Sequence, residues 1–94
     1  MKTLDETTEL MESLNGTAYD IAYDSWLIAD HAENNGDEDA EYLRESASEK
    51  QQEYFRDEFA DLSDEDKESI RHWYKNDEDF REQFETYYGG ELYE

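Results

Sequence analysis

The sequence predicts an all-α domain, a small bundle of four to five short helices, with no more than one short strand, at the C-terminus. Three observations predict this class. Apolar residues recur at helical spacing through most of the chain, Asn-Gly steps and N-cap residues separate the periodic segments, and proline is absent from all 94 residues. Valine is absent and period-two alternation is scarce, which disfavours strands. We expect one domain spanning residues 1–94.

The first predicted helix covers about residues 4–14. Thr3 and Glu6 have the spacing of a capping box, in which each residue satisfies the backbone N–H of the other. Its apolar side carries Leu4, Met11 and Leu14. The following Asn-Gly step at Gly16 is typical of a helix C-terminus and is expected to end it.

The second predicted helix covers about residues 18–33, and Gly36 ends it. Seven small or apolar residues fall within about one third of its circumference, so we expect it to be the central element of the core. These residues are Ala18, Ile21, Ala22, Ser25, Ile28, Ala29 and Ala32, and the aromatic residues Tyr19, Tyr23 and Trp26 flank them.

The third predicted helix begins with Asp37 as its N-cap and extends to about residue 61. Seven carboxylates recur along it at four-residue spacing; they are called the acidic ladder below. The acidic ladder consists of Asp37, Glu41, Glu45, Glu49, Glu53, Asp57 and Asp61. Each step rises about 6 Å and turns about 40° beyond a full circle, so the ladder winds with a right-handed sense. The apolar stripe predicted on the opposite side consists of Leu43, Ala47, Gln51, Phe55 and Phe59.

Two further helices complete the bundle. Ser63 with Asp66 predicts the N-cap of a fourth helix, whose apolar anchors are Ile70, Trp73 and Tyr74. A fifth helix is expected to open at Asn76 or Asp77, to carry Phe80, Phe84, Tyr87 and Tyr88, and to end at Gly89 and Gly90. Residues 91–94 are expected to form the short strand or a docked coil.

The acidic ladder has two interpretations. An ordinary amphipathic helix also has a polar face opposite an apolar one. However, like charges four residues apart each cost about 0.2–0.5 kcal/mol in an isolated helix, and a face selected for stability alone would interleave lysine. Three cations near the ladder, Arg44, Lys50 and Arg56, cannot neutralise seven anions. We therefore expect a cationic partner to bind the ladder.

Composition restricts the partners further. The formal net charge is −21, from 29 Asp and Glu against eight Lys and Arg. Such a chain is repelled by phosphates, so neither nucleic acid nor an anionic membrane is expected to bind it directly. A basic nucleic-acid-binding protein is the expected partner. Leu, Ile and Phe total only 14 residues, and a homodimer would supply the core that they leave thin.

No pattern predicts catalysis, a metal site or a cofactor. Neither Asp37 nor Asp61 opens a loop with the Gly and Glu that an EF-hand needs at its sixth and twelfth positions. His31 has no second ligand at helical spacing, and the residue one turn before His72 is Glu68, which forms a helix-face pair. Cysteine is absent. The N-terminus lacks the apolar run of a signal peptide, so a cytoplasmic location, in a host cell if the source is a phage or mobile element, is expected.

Small size, high acidity, helical character and abundant tyrosine resemble the DNA-mimicking inhibitors of phages and plasmids, which include antirestriction and anti-CRISPR proteins. Residues 77–93, with an acidic helix followed by aromatic residues around a Gly-Glu step, are similar to segments of ArdA-type antirestriction proteins. This resemblance implies that the chain occupies the DNA-binding site of a restriction or CRISPR complex. The acids expected to supply a second acidic row beside the ladder are Asp77, Glu78, Asp79, Glu82 and Glu85.

Two other classes fit the same charge. An acidic adaptor or chaperone would bind a free basic protein and would not inhibit a nuclease. A domain of a halophile would use surface acids to hold water and salt ions, and would unfold in low salt. The low aliphatic content could also indicate disorder, but aromatic residues make up 15% of the chain and each buries a large area, which favours a folded domain.

Overall fold

The computed structural model describes residues 1–92, and these form a small all-α bundle, as predicted. Its four helices are α1 (Leu4–Asn34), α2 (Ala40–Ala60), α3 (Asp64–Asn76) and α4 (Glu78–Tyr88). The two long helices form an antiparallel hairpin, and the two short ones pack against the end of it that is opposite the turn. The molecule is elongated, with extents of 47 × 22 × 22 Å.

Helix α1 runs without interruption through Gly16, so the prediction of two separate helices was wrong. The Thr3–Glu6 capping box is present at its start, as predicted. Leu14 and Ala18 are both buried on the same side of α1, so helical packing continues across the glycine. That packing outweighs the roughly 1 kcal/mol by which glycine disfavours a helix interior. Gly36 does end the helix, with a φ of +67°.

The start of α2 also differs from the prediction. Asp39, and not Asp37, is the N-cap of α2. The carboxylate of Asp37 instead accepts the backbone N–H of Asp39 at 2.9 Å, within the turn that joins the two long helices. The predicted apolar stripe of α2 is confirmed at Ala47, Phe55 and Phe59, which are all buried.

The hydrophobic core lies at the end of the hairpin opposite the turn that joins α1 and α2. We call this end, which α3 and α4 cover, the proximal half. There α3 and α4 pack against the first part of α1 and the last part of α2. The buried members of this core are Met11, Leu14, Ala18, Phe55, Phe59, Ile70, Phe80 and Phe84.

Aromatic side chains occupy the centre of this core. The ring of Phe84 is fully buried and lies 5.5 Å from the ring of Phe55, 5.7 Å from that of Phe59 and 5.5 Å from that of Tyr74. The ring of Tyr88 stacks on it at 5.2 Å. Edge-to-face and offset pairs of this kind stabilise a core beyond the area that they bury. Phe84 thereby connects three helices.

The distal half of the hairpin, residues 19–50, has no such core. Its buried side chains are those of Ala22, Ala29, Ala32 and Ala47, so the two helices meet chiefly along small residues. Ile21 and Ile28 are exposed, and the prediction that residues 18–33 form the central core element was therefore wrong. The apolar arc was identified correctly, but α3 and α4 cover only the proximal half.

The short helices begin and end as predicted. The side chain of Ser63 accepts the N–H of Asp66, and the carboxylate of Asp77 accepts the N–H of Phe80. Gly89 ends α4 with a φ of +86°. Residues 91–92 form no strand, and Tyr93 and Glu94, on which the C-terminal strand prediction also falls, lie outside the described residues.

The N-terminus is fastened to α3. The backbone N–H of Lys2 donates to Ser69 at 3.0 Å, and its carbonyl accepts from the indole of Trp73 at 3.1 Å. The Lys2 ammonium also pairs with Asp66, and this hydrogen bond raises the pKa of Lys2 above its usual value. These contacts hold the first turn of α1 against the proximal core.

We predict opposite effects for two glycine-to-alanine substitutions. A Cβ at Gly16 would meet no atom within 4 Å, so Gly16→Ala should raise the free energy of unfolding by about 0.5–1 kcal/mol. A Cβ at Gly89 would lie 2.7 Å from Oε1 of Gln52, in a left-handed conformation, so Gly89→Ala should lower it by about 1 kcal/mol or more. Chemical denaturation of the two variants measures both. A loss of stability in Gly16→Ala would contradict the continuous α1.

We also predict that Tyr74 makes the free energy of unfolding fall as pH rises above about 10. Its hydroxyl donates to Glu85 at 2.9 Å and accepts the N–H of Leu92 at 3.2 Å. Burial, opposed in part by the Leu92 N–H and reinforced by Glu85, raises the pKa of Tyr74 above its ordinary value of about 10. The unfolded chain then loses this proton at lower pH than the folded one.

The contribution of Tyr74 is therefore complete below about pH 10 and is lost as pH rises through the folded pKa. Tyr74→Phe should be less stable than wild type near neutral pH, by about 1 kcal/mol, because two hydrogen bonds are removed. Its free energy of unfolding should fall less steeply above pH 10. Urea titrations from pH 8 to pH 11 would compare the slopes, and equal slopes would refute the prediction.

Candidate partner-binding surface

The acidic ladder lies almost entirely on α2, and all seven of its side chains are exposed. Glu41, Glu45, Glu49 and Glu53 project from successive turns of one continuous helix. In the described part of the chain, the only ladder side chain with a hydrogen bond is that of Asp37, within its own turn. The other six carboxylates therefore face solvent with their acceptor groups available.

Two of the three cations near the ladder are directed elsewhere. Arg44 pairs with Glu33 of α1, which is not a ladder residue. Arg56 donates to the backbone carbonyl of Tyr88 at 2.8 Å, and its guanidinium lies 5.7 Å from the centre of that ring. Both arginines thus contribute to helix packing, and the ladder is less neutralised than the sequence count suggests.

The second acidic row is divided between structural and exposed positions. Asp77 caps α4, and Glu85 accepts the hydroxyl of Tyr74. Glu78, Asp79 and Glu82 are exposed. The three exposed acids are the members of this row available to a partner.

Helix α4, which carries this row, is joined directly to α2. Gln52 donates to the carbonyl of Thr86 at 3.4 Å, and Arg56 donates to that of Tyr88. The helix bearing the second row is consequently fixed relative to the helix bearing the ladder.

The tyrosines divide into two groups, a point that the sequence left open. Tyr54, Tyr74, Tyr87 and Tyr88 pack against the proximal core. Tyr19, Tyr23 and Tyr42 are exposed, and Tyr42, on α2 between ladder acids, is 70% exposed. Exposed tyrosine beside carboxylates has the amphipathic character that binding hot spots favour. Sequence reasoning did not single out Tyr42, although its place one residue after Glu41 was a signal for it.

The charge density along the long axis can be compared with that of DNA. Residues 1–92 carry a net charge of −20, because Glu94 lies outside them, and dividing 47 Å by 20 gives about 2.4 Å per net charge. B-form DNA carries one charge per about 1.7 Å of axis. The two densities differ by less than a factor of two.

An open concavity with a volume of about 210 Å³ lies beside Trp26, whose indole donates to Gln51 at 2.8 Å. Gln51 in turn donates to Asn15 at 2.9 Å, so the polar groups of this concavity satisfy one another. Within residues 1–92, no three Asp, Glu or His side chains are grouped to hold a metal ion, and no helix could span a membrane.

Comparison with known proteins assigns no family: no protein-family model, curated protein or solved structure matches the chain.

We predict that salt stabilises the fold. The unneutralised ladder repels itself, and raising NaCl from about 0.01 M to about 0.15 M shortens the Debye length from about 30 Å to about 8 Å. The midpoint of thermal unfolding should rise by several degrees over this range, because ladder repulsion opposes folding. A Glu45→Lys, Glu49→Lys, Glu53→Lys variant should gain less from salt. A midpoint that does not change with salt in wild type would contradict the prediction.

Proposed function

We propose that the chain is a DNA-mimic inhibitor that occupies the DNA-binding cleft of a host defence complex, of the restriction-modification or CRISPR-Cas type. The observation that carries this proposal is the exposed acidic ladder, whose neighbours Arg44 and Arg56 contact groups outside it. The exposed acids of the second row, Glu78, Asp79 and Glu82, extend the same charge onto α4.

Inhibition by this mechanism requires no catalytic residue. A cleft lined by Arg and Lys holds DNA chiefly through phosphate contacts, and it releases bound counterions when it does so. Carboxylates at comparable density gain the same counterion release and therefore compete for the same cleft. Association should be fast and strongly salt-dependent. The exposed tyrosines add contact area that a purely ionic surface would lack.

The first test is capture of the target from a bacterial lysate. Tagged protein is incubated with the lysate with and without excess duplex DNA, and bound material is eluted with a salt gradient. We expect one DNA-binding complex to be retained, and to be lost when DNA is present. A retained basic protein that is indifferent to DNA would support an acidic adaptor instead. Unfolding of the protein until molar KCl is added would support a halophile domain.

The second test reverses the centre of the ladder. Glu45→Lys, Glu49→Lys, Glu53→Lys should abolish target binding, since it replaces three attractive charges with three repulsive ones, while helix content stays near that of wild type. The matched control is Glu9→Lys, Asp20→Lys, Asp30→Lys, which makes the same charge change at three exposed acids of α1. The control should retain most of the binding. Equal losses in both variants would show that net charge alone is sensed, and retained binding in the ladder variant would exclude the ladder.

A further inference from the structure

One side of α1 is buried where it passes the proximal core and exposed to solvent in the distal half. Leu14, Ile21 and Ile28 recur every seven residues and therefore lie along one side of the helix, with a drift of about 20° per step. Their exposed fractions are 7%, 44% and 57%. This side of the helix is covered in the proximal half, where the core lies, and uncovered in the distal half.

Helix α2 contributes to the same edge of the hairpin. Asn15 and Trp26 of α1 line the concavity on the opposite edge, together with Ser48 of α2. Ile21 precedes Trp26 by five residues, as Leu43 precedes Ser48, and five residues correspond to about 140° of rotation. Because the two helices run antiparallel, these two rotations have opposite senses when viewed along one axis. Ile21 and Leu43 therefore both lie on the edge of the hairpin away from the concavity. We call Ile21, Ile28 and the half-buried Leu43 the distal apolar flank.

Charge decides what this flank can accept. The distal half carries ten acids and two bases, a net charge of −8, and one of those bases, Arg44, is paired with Glu33. A second copy of the chain docked along the flank would bring another distal half, with its net charge of −8, against the first, and the two would repel. A segment with aliphatic side chains bordered by Lys or Arg would cover the isoleucines and pair with Asp24, which follows Ile21 by three residues and precedes Ile28 by four.

We propose that the distal apolar flank docks an amphipathic, basic segment of the partner protein, with Ile21 and Ile28 as its apolar anchors. This inference rests on the proposed function for the basic character of the partner, and it adds the contact that is not electrostatic. The partner is then selected by a combination of apolar contact and charge, whereas DNA-like charge alone would attract any basic surface.

The test uses two synthetic peptides and the full-length protein. One is a helical peptide of about 14 residues, made of Leu and Lys with an apolar stripe, and the other is an oligolysine of equal charge. At about 0.15 M salt, wild type should bind the Leu/Lys peptide at least about tenfold more tightly than oligolysine, because two half-exposed isoleucines become covered. Ile21→Gln, Ile28→Gln should remove this preference and leave oligolysine binding unchanged.

The matched control is Leu27→Gln, which removes an exposed apolar side chain of α1 that is not part of the flank. It should retain the preference. Circular dichroism checks that both variants fold. If the double variant does not fold, Ile28→Gln alone replaces it and should lose part of the preference for the Leu/Lys peptide. Equal binding of both peptides by wild type, or an unchanged preference in the double variant, would overturn the proposal. A wild-type dimer, seen by sedimentation, that dissociates in the double variant would also overturn the proposal.

This titration uses no nuclease and no DNA. If capture of a DNA-displaceable complex fails while the peptide preference holds, the DNA-mimic proposal is rejected and the docking flank stands. If the preference is absent while capture succeeds, the flank is rejected and mimicry stands.

Discussion

The packing of aromatic rings around Phe84 is the interaction on which the rest of the structure depends. A chain with only 14 Leu, Ile and Phe residues has little aliphatic surface to bury, and large rings compensate because each covers so much area. Phe84 contacts side chains of α2, α3 and its own helix, so one residue of the shortest helix joins three of the four elements. Without this cluster, the hairpin of α1 and α2 would be held chiefly by its alanine contacts and by a few polar contacts such as those of Gln51 with Trp26 and Asn15.

Electrostatic repulsion opposes that packing along the whole molecule, because residues 1–18 and 51–92 carry a net charge of −12 and residues 19–50 one of −8. Bulky buried side chains are concentrated in the proximal half, whereas the ladder extends along α2 into the distal half, where only alanines are buried. The bundle presents this charge on a body about 47 Å long and 22 Å wide. The distal half consequently has few buried apolar side chains to stabilise it.

The arginines show how the same composition can serve two purposes. Arg44 and Arg56 lie near the ladder in sequence, yet each turns towards a neighbouring helix. Their contacts with Glu33 and with the end of α4 support the bundle. These two arginines therefore contact groups outside the ladder, and six of the seven ladder carboxylates have no hydrogen bond within residues 1–92. Tyr42, Ile21 and Ile28 are exposed as well.

Much of this structure was determined by the sequence alone. The all-α class, the capping box at Thr3, the caps at Ser63 and Asp77 and the stop at Gly36 follow from local chemistry, since each is decided by hydrogen bonds within a few residues. The exposure of the ladder follows from the period of α2. Tertiary structure decided the rest. Whether Gly16 ended a helix depended on packing across it, and whether Ile21 and Ile28 were buried depended on how far α3 and α4 reach, because burial is set by neighbours that local periodicity cannot locate.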